Sequence, residues 1–312
     1  MTTRILVTGG AGYLGSVLVP SLLADGHQVT VIDNMSFRQN SLLDVCSATN
    51  FAFVRGDARD AAVVSRELAK HDVVIPLAAL VGAPACDRNT ELATTLNLDA
   101  IKLIAERVSK DQLVIYPTTN SGYGIGQEGI YCDEQTPLRP VSLYGRTKVD
   151  AERLLLDGGR AVTLRLATVF GASPRMRMDL LVNDFVYRAL TDRAIVLFDA
   201  HFKRNYIHIR DVAGAFKFAL AHADQMRGEP YNVGLSDANL SKLELCEEIK
   251  KQLPRLEILE APTGEDPDKR NYIVSNAKLE ALGWRPRHSL ADGIDELIKV
   301  YRILSVNPYG NV

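Results

Sequence analysis

The stretch Ile5-Leu6-Val7-Thr8-Gly9-Gly10-Ala11-Gly12-Tyr13-Leu14-Gly15 decides the fold of this 312-residue chain. Its first three residues form a short, continuous apolar run, which is typical of a strand buried on both faces. Gly9, Gly12 and Gly15 follow at intervals of three, and a segment with helical periodicity begins directly after them. A strand that leads through a glycine-rich turn into a helix predicts the first βα unit of a parallel sheet.

The same alternation continues along the first half of the chain. Apolar runs of strand length recur at residues 29–32, 51–54, 73–75, 113–116 and 162–166, and helical periodicity fills residues 16–24, 61–70, 92–108 and 142–156. This pattern predicts an α/β protein with a doubly wound parallel sheet of the Rossmann type. We expect that domain to span residues 1–170.

The rhythm changes after about Phe170. Arginine and methionine alternate at residues 175–178, a short strand is expected at 195–198, and residues 262–268 are rich in proline, glycine and acidic side chains. Helices are expected at 242–252 and 290–304. Residues 171–312 should therefore form mainly a smaller substrate-binding lobe, with segments around 204–233 packing back on the Rossmann domain.

Composition and charge favour a small-molecule partner. The chain is 46% hydrophobic and 24% charged, with a formal charge of −2, so no single-sign field favours nucleic acid or an anionic membrane. No signal peptide and no apolar run of the roughly 18–20 residues that span a bilayer is seen, which predicts a cytoplasmic protein. Four cysteines and six histidines are widely scattered, so we expect reduced thiols and no metal site.

The glycine motif is the first sign of a dinucleotide. Gly9 permits the tight turn, Gly12 lets backbone N–H groups approach a pyrophosphate, and Gly15 lets the helix pack closely on the strand. A glycine-rich turn without a ligand is the alternative. Asp33 ends the second strand 18 residues after Gly15, where a carboxylate can accept both adenosine ribose hydroxyls and repel a 2′-phosphate. NAD is therefore predicted rather than NADP, although nearby Arg38 keeps NADP open.

Two further segments should lie along the same cofactor. Asp57-Ala58 follows the third strand, where the carboxylate can meet the adenine; a solvated turn aspartate is the alternative. Leu77-Ala78-Ala79 follows the fourth strand and leaves room for a dinucleotide across the sheet edge. Any tight βα turn has small residues of this kind, so this signal is weaker.

Tyr144 and Lys148 form the candidate catalytic pair. They are four residues apart at the start of a predicted helix, so both project from one helical face. A nearby ammonium favours the phenolate, which lets the tyrosine exchange a proton with a substrate hydroxyl while hydride moves to or from a nicotinamide. The alternative is an ordinary surface contact between a tyrosine and a lysine. Thr119, Asn120 and Ser121 leave the fifth strand at the same edge; they either hold the substrate oxygen or only form a turn.

Taken together, these motifs resemble the extended short-chain dehydrogenase/reductase family, which includes UDP-galactose 4-epimerase and the nucleotide-sugar dehydratases. The resemblance covers nearly the whole chain and extends to Leu164–Gly171, Arg204–Val212, Tyr231–Gly234 and Leu282–Pro286. It implies that Tyr144 is the acid/base, Lys148 its partner and a ribose ligand, and Thr119 the hydroxyl that binds the reacting sugar oxygen.

The resemblance also implies two sets of binding residues. The implied cofactor set, which includes the family's helix asparagine, consists of Gly9, Gly12, Tyr13, Leu14, Gly15, Asp33, Asn34, Asp57, Ala58, Leu77, Ala78, Ala79, Asn97, Tyr144 and Lys148. The implied substrate set consists of Val81, Thr119, Asn120, Ser121, Thr168, Asn183, Arg204 and Arg270. In the second set the two arginines should meet the diphosphate, because guanidinium groups suit phosphate oxygens.

One departure from the family pattern bears on the reaction. Dehydratases of the family carry an Asp-Glu pair directly after the catalytic threonine, because the elimination of water needs an acid and a base. Asn120 and Ser121 stand at these positions, so dehydration is disfavoured. Residues 78–84, 119–126 and 264–270 are similar to a bacterial capsule-sugar branch that oxidises C4 of GDP-linked heptoses.

Three functions therefore remain as hypotheses. The first is an NAD-dependent 4-dehydrogenase of a nucleotide-sugar, with a GDP-linked sugar favoured. The second is a nucleotide-sugar 4-epimerase that works through the same 4-keto intermediate. The third, from a different class, is a catalytically silent NAD-binding regulatory module. The family resemblance further implies a homodimer that forms through the helices at 92–108 and 142–156.

Overall fold

The central sheet of the protein is fully parallel and has seven strands. The computed structural model describes residues 2–38, 40–261 and 270–304. Strands in chain order are β1 (Arg4–Thr8), β2 (Gln28–Asp33), β3 (Phe51–Arg55), β4 (Val73–Pro76), β5 (Leu113–Thr119), β6 (Tyr131–Cys132), β7 (Ala161–Leu166), β8 (Thr168–Phe170), β9 (Ala194–Leu197), β10 (Lys203–His208), β11 (Pro230–Val233), β12 (Asn239–Ser241), β13 (Glu257–Glu260) and β14 (Ile273–Val274). The order in the central sheet is β11-β7-β5-β4-β1-β2-β3, which confirms the predicted doubly wound fold.

Helices cover both faces of this sheet. In chain order they are α1 (Gly15–Ala24), α2 (Ala61–Leu68), α3 (Ala83–Arg88), α4 (Thr90–Thr94), α5 (Ala100–Arg107), α6 (Leu143–Asp157), α7 (Leu181–Thr191), α8 (Ile209–Ala221), α9 (Ala223–Met226), α10 (Lys242–Gln252), α11 (Ala277–Ala281) and α12 (Leu290–Ile303). Strands β1, β4, β5 and β7 are buried almost throughout, as their continuous apolar runs predicted. Within the described residues no helix is both long and apolar enough to cross a bilayer.

Strand order reverses between β1 and β4, and this reversal positions the site. Strands β2 and β3 lie on one side of β1, whereas β4 and β5 lie on the other. The loops that leave the carboxyl ends of these two groups therefore diverge and open a crevice, which is where ligands bind in sheets of this kind. All the predicted cofactor segments leave the sheet at this edge.

Outside the central sheet, the described residues form three smaller sheets, mainly in the region that was predicted as the second lobe. Strands β12, β10 and β8 form one sheet, β13 pairs with β9, and β14 pairs with β6. Helix α7 packs against α10 and α12, which bury Leu245, Ile249, Ile294 and Leu297. Strand β11 returns to the central sheet and pairs with β7, so the chain passes from the first lobe to the second and back.

The helical segment predicted at 92–108 includes a turn of a different helix type. Helix α4 runs into a π-helical turn, Thr95–Asp99, before α5 continues. The wider turn carries the fully buried Asn97, whose amide oxygen accepts a hydrogen bond from Leu80 N at 2.8 Å. Such turns often occur where a helix must present a functional side chain.

Candidate active site

In the glycine loop between β1 and α1, two glycines are packed too closely against neighbouring backbone to carry a Cβ. Gly9 has a φ of +71°, and a Cβ there would lie 2.5 Å from Ala78 N in the loop after β4. A Cβ on Gly15 would collide with the Gly10 carbonyl, so α1 could not begin where it does. At Gly12 a Cβ would meet only Gly9 O, at 3.1 Å, so this glycine faces the crevice. The amino end of α1 therefore forms a cradle that fits a pyrophosphate.

Asp33 lies at the carboxyl end of β2, as the sequence predicted. Its carboxylate accepts hydrogen bonds from Ala11 N at 3.0 Å and Met35 N at 2.8 Å, which fix it beside the glycine loop. A half-buried carboxylate next to a pyrophosphate cradle fits the ribose of a dinucleotide without a 2′-phosphate. The residues at this edge thus fit NAD, and the chemistry that NAD would supply here is hydride acceptance.

Asp57, the acidic residue that follows β3, is already bound by another side chain of the protein. Two hydrogen bonds from Arg59, at 2.8 and 2.9 Å, lower the pKa of Asp57 to about 2. Asn34 is exposed and its amide lies 3.4 Å from the same carboxylate, while Ala58 is buried. These residues do lie together beyond β2 and β3, and their contact with the adenine stays a prediction.

Asn97 holds the segment that follows β4. Besides accepting from Leu80 N, its amide donates to Leu80 O at 2.9 Å and to Thr147 Oγ1 on α6 at 3.5 Å. The side chain is 1% exposed. Asn97 therefore positions Leu77–Val81 relative to the catalytic helix, and a direct contact with the cofactor stays a prediction.

Helix α6 brings the predicted catalytic pair to the crevice. Ser142 caps the helix by accepting a hydrogen bond from Gly145 N at 3.1 Å. Tyr144 is half-buried and lies close to Thr119 at the end of β5, which brings together the two residues that were predicted to bind the reacting oxygen. Lys148 lies one turn further on, 4% exposed, with its Nζ 3.9 Å from the centre of the Tyr116 ring.

The electrostatic surroundings of the pair differ. Burial raises the pKa of the Tyr144 phenol, whereas the guanidinium groups of Arg177 and Arg270 and the hydroxyl of Thr119 lower it. Burial lowers the pKa of Lys148 to about 7, and the opposing charge of Glu152 reduces this effect. Because the surroundings disfavour a buried ammonium, hydroxyl groups of a bound ribose would be favourable partners for Lys148.

The predicted substrate residues after β5 form a short hydrogen-bonded chain. Thr119 Oγ1 donates to Ser121 Oγ at 2.9 Å, and Arg270 also donates to Ser121 Oγ. Asn120 is 1% exposed, and both polar atoms of its amide have no hydrogen-bond partner among the described residues. Buried amides are normally satisfied, so Asn120 is suited to bind a polar group of a ligand.

The remaining predicted substrate residues are more dispersed. Val81 and Thr168 are half-buried, and Arg204 is 3% exposed, donates to Lys203 O and lies 5.8 Å from the Tyr272 ring. Asn183 is fully buried: its amide oxygen accepts from Gly171 N at 3.0 Å and its amide nitrogen donates to Arg177 O at 2.8 Å. These bonds hold the loop after β8, so a direct contact of Asn183 with a diphosphate has no support in the geometry.

Sequence reasoning missed two features of the site. Arg177 lies near Tyr144, yet the Arg-Met alternation that contains it was read only as a change of rhythm. Arg165 and Glu152 form a buried ion pair behind α6, with N–O distances of 2.7 and 3.0 Å. A charged residue inside an apolar strand run, as Arg165 is in β7, is the signal that could have indicated this pair.

One histidine-acid cluster of the described residues has the spacing of metal ligands. The candidate atoms of His208, Asp211 and His288 lie within 4.8 Å of one another. Asp211, however, already accepts hydrogen bonds from Arg287 N at 2.9 Å and His288 N at 3.0 Å, and His208 Nε2 is 2.8 Å from Glu296. These contacts give the cluster a structural role in joining β10, α8 and α12.

The glycine loop, Asp33 and the Tyr144–Lys148 pair lie along one sheet edge, an arrangement that fits a bound dinucleotide. Residues 5–234 match the model of the NAD dependent epimerase/dehydratase family, and the chain belongs to that family. This confirms the resemblance to the extended short-chain dehydrogenases/reductases that the sequence predicted, and with it NAD as the cofactor.

Relatives and solved structures agree with this assignment along almost the whole chain. The chain is 31% identical to UDP-glucuronic acid decarboxylase 1 of Arabidopsis thaliana, covering 96% of this chain and 70% of that protein. It is 28% identical to a dTDP-glucose 4,6-dehydratase of Streptomyces niveus, covering 96% and 93%. The structure of UDP-glucuronic acid 4-epimerase from Bacillus cereus, in complex with UDP-glucuronic acid and NAD, superposes with a TM-score of 0.84 at 26% identity, covering 96% and 99%.

Proposed function

We propose that this protein oxidises the C4 hydroxyl of a nucleotide-diphosphate sugar, with Tyr144 as the base and NAD as the hydride acceptor, and that the sugar is a GDP-linked heptose or hexose. The observation that carries the proposal is that α6 brings Tyr144 beside Thr119 at the carboxyl end of β5, with Lys148 one turn further along the same helix and the predicted cofactor edge next to it. Enzymes that act on nucleotide-sugars are the common class among the relatives of the chain.

The three candidate catalytic residues have separate roles. Thr119 Oγ1, beside Tyr144, would accept a hydrogen bond from the substrate hydroxyl, which fixes the reacting oxygen within reach of the phenol. Tyr144 removes the hydroxyl proton, helped by the positive charges of Arg177 and Arg270 that lower its pKa. Lys148 holds the ribose of the cofactor on the same helical face.

Dehydration is disfavoured by the residues that follow Thr119. An Asn120 amide does not titrate in the ordinary pH range, and the Ser121 hydroxyl already accepts hydrogen bonds from Thr119 and Arg270. Neither group can act as the acid or base that elimination of water needs. The buried Asn120 amide is instead suited to bind a sugar hydroxyl or carbonyl.

The preference for GDP-linked heptoses rests on the similarity of residues 78–84, 119–126 and 264–270 to that branch. Residues 262–269 lie outside the described part of the chain, so only the first two of these segments and Arg270 can be placed. The printed names of the relatives mention dTDP-, UDP- and CDP-sugars. The identity of the nucleotide base of the substrate is therefore the first property to test.

The test incubates the purified protein with GDP-, UDP- and dTDP-sugars while absorbance at 340 nm and product masses are followed. A product two mass units lighter supports 4-dehydrogenation. A product of unchanged mass that NMR identifies as a new isomer supports 4-epimerisation, which the similarity to UDP-glucuronic acid 4-epimerase also favours. Substrate turnover should fall by about 10²–10⁴-fold in Tyr144→Phe, with NAD content unchanged.

The matched control is Tyr131→Phe, because Tyr131 is 55% exposed and lies in β6. This variant should keep parental turnover. If Tyr144→Phe kept it as well, or if no nucleotide-sugar changed the absorbance of the bound cofactor, the third hypothesis, a catalytically silent NAD-binding module, would replace the proposal.

A further inference from the structure

The aromatic ring of Tyr116 lies against the amino group of Lys148. Tyr116 belongs to β5, three residues before Thr119, and is 1% exposed. Lys148 Nζ lies 3.9 Å from the centre of the ring, which is within the range of a cation–π contact. Within the described part of the chain, the hydroxyl of Tyr116 has no hydrogen-bond partner. The ring face, and not the hydroxyl, is therefore the part of this side chain that contacts the site.

The nearest carboxylate is already paired with another cation. Glu152 lies one helical turn beyond Lys148 on α6, and it accepts hydrogen bonds from Arg165 at 2.7, 3.0 and 3.3 Å. A nearby thiol, that of Cys86, donates to Leu80 O at 3.3 Å, and burial raises its pKa to about 11, so it is neutral near pH 7. Among the described residues neither group forms a hydrogen bond or an ion pair with Lys148, which leaves the Tyr116 ring as the partner of its ammonium.

The ring can stabilise the ammonium without titrating itself. Burial raises the pKa of the Tyr116 phenol well above its usual value, so the ring stays neutral around pH 7. Burial lowers the pKa of Lys148 to about 7, which makes the charge of this lysine sensitive to any group that contacts it. An electron-rich ring face offsets part of the cost of burying an ammonium, and it also restricts the direction of a flexible four-carbon side chain.

We propose that Tyr116 is a positioning residue, whose ring holds the Lys148 ammonium by a cation–π contact so that it faces the ribose in the nicotinamide half of NAD. This inference rests on the proposed function only in taking Lys148 as a ribose ligand. The other titratable groups around the contact are Tyr144 and Glu152 on α6 and Cys86 on α3. The ring can be altered while all three of these groups stay in place.

The test measures NAD binding as a function of pH, without any sugar, so its failure differs from a failure of C4 oxidation. Because the ammonium donates to the ribose, NAD affinity of the cofactor-free parent should fall as the pH rises through the pKa of Lys148. Tyr116→Phe keeps the ring and should keep the parental midpoint. Tyr116→Leu lowers the pKa of Lys148, so the midpoint should fall by about 0.5–1 pH unit, with NAD bound about 3–10-fold more weakly at pH 7.

Two controls separate this effect from a loss of packing. Tyr206→Leu, in β10, removes another fully buried tyrosine whose hydroxyl has no partner among the described residues, and it should keep the parental midpoint. AMP lacks the nicotinamide half of NAD, so Tyr116→Leu should bind AMP within about twofold of the parent. An equal loss of NAD and AMP affinity would overturn the proposal, because lost packing alone gives that result.

Fluorinated phenylalanines at position 116 give a test that does not depend on the folding of the leucine variant. Mono-, di- and trifluorinated rings have nearly the same shape but progressively less electron density on the ring face, so the midpoint should fall stepwise along the series. A constant midpoint along the series would overturn the proposal. So would equal shifts in Tyr116→Phe and Tyr116→Leu, or an NAD affinity of the parent that does not change with pH.

Discussion

Tyr144 and Lys148 lie on one face of α6, but their surroundings affect the charged forms of the two side chains differently. The phenol is half-buried and lies near two guanidinium groups, whereas the ammonium is buried against the Tyr116 ring. Because Arg177 and Arg270 lower the pKa of the phenol, the proposed base depends on residues outside the Tyr-x-x-x-Lys motif. Two predictions follow from this arrangement at the scale of single residues.

Replacing Arg177 should shift the pH dependence of turnover. The cation lowers the pKa of Tyr144, so Arg177→Met should raise that pKa. Since the base acts only when it is deprotonated, the acidic limb of the kcat/KM profile should move to higher pH. Arg177→Lys keeps the charge and should lie closer to the parent. A profile in Arg177→Met that coincides with the parent's would contradict this assignment.

Replacing Lys148 should change how stability depends on pH. The unfolded chain holds this proton up to about pH 10.5, but the folded chain releases it near pH 7, so between these values the unfolded state binds more protons and stability rises with pH. Cofactor-free Lys148→Met should therefore be more stable than the parent by about 1–3 kcal/mol at pH 7, with a gap that narrows toward pH 10. Thermal unfolding at several pH values measures it.

The exposed Lys110 supplies the control for that experiment. Lys110→Met should leave the pH slope of the parent unchanged, because this side chain lies at the surface. A constant gap between Lys148→Met and the parent from pH 7 to pH 10 would mean that protonation of Lys148 does not oppose folding.

Residues with fixed local spacing could be predicted from the sequence, and residues placed by long-range contacts could not. Tyr144 and Lys148 are one helical turn apart whatever surrounds them, and Asp33 ends a strand whose length the apolar run sets. Arg177 lies near Tyr144 because the loop that follows β8 crosses over the glycine loop, where Ser173 Oγ donates to Tyr13 O. No periodic pattern in the sequence predicts that crossing.

At the scale of secondary-structure elements, the βα turn after β1 is the most constrained part of the site. Gly9→Ala introduces a Cβ at a positive φ, 2.5 Å from Ala78 N, where the backbone of a neighbouring loop cannot move easily. We expect a loss of about 3 kcal/mol or more in the free energy of unfolding and a loss of NAD binding. Chemical denaturation and NAD content measure the two effects.

Gly26 separates backbone strain from collision in that experiment. It has a φ of +85°, and a Cβ there would meet nothing within 4 Å. Gly26→Ala should therefore cost only about 1 kcal/mol and leave NAD binding intact. Equal losses in the two alanine variants would show that the contact with Ala78 is unimportant.

Element order was predictable because continuous apolar runs and amphipathic stretches alternate so regularly. The π-helical turn at Thr95–Asp99 was not, since its wider hydrogen bonding accompanies the contacts of Asn97 with Leu80 and Thr147, which are 17 and 50 residues away. A local pattern cannot encode a turn that such distant partners stabilise. Of the strands in the small sheets, β9 was predicted at 195–198, but its partners and the other strands were missed, because they are short and pair with distant segments.

At the scale of the whole molecule, the homodimer stays a prediction of the family resemblance. The helical segments expected at its interface include α5 and α6, and Leu154 of α6 is 36% exposed. Light scattering at micromolar concentration should give twice the 34.3 kDa of the chain. Leu154→Glu should shift the protein toward the monomer by placing charge in an apolar contact.

A substitution at an exposed leucine outside α5 and α6 serves as the reference. Leu259 of β13 is 53% exposed and lies in the second lobe, so Leu259→Glu should keep the mass of the parent. A parent of 34.3 kDa, or a Leu154→Glu variant that remains dimeric, would contradict this interface.

The return of β11 to the central sheet has a consequence for biosynthesis. Strand β7 ends at Leu166. Its outer neighbour, β11, consists of Pro230–Val233, which the ribosome adds more than 60 residues later. During that interval the nascent chain presents an open, apolar strand edge of the kind on which chains pair with one another. Translation speed and chaperone supply across this interval should therefore influence the yield of native protein more than events at either terminus.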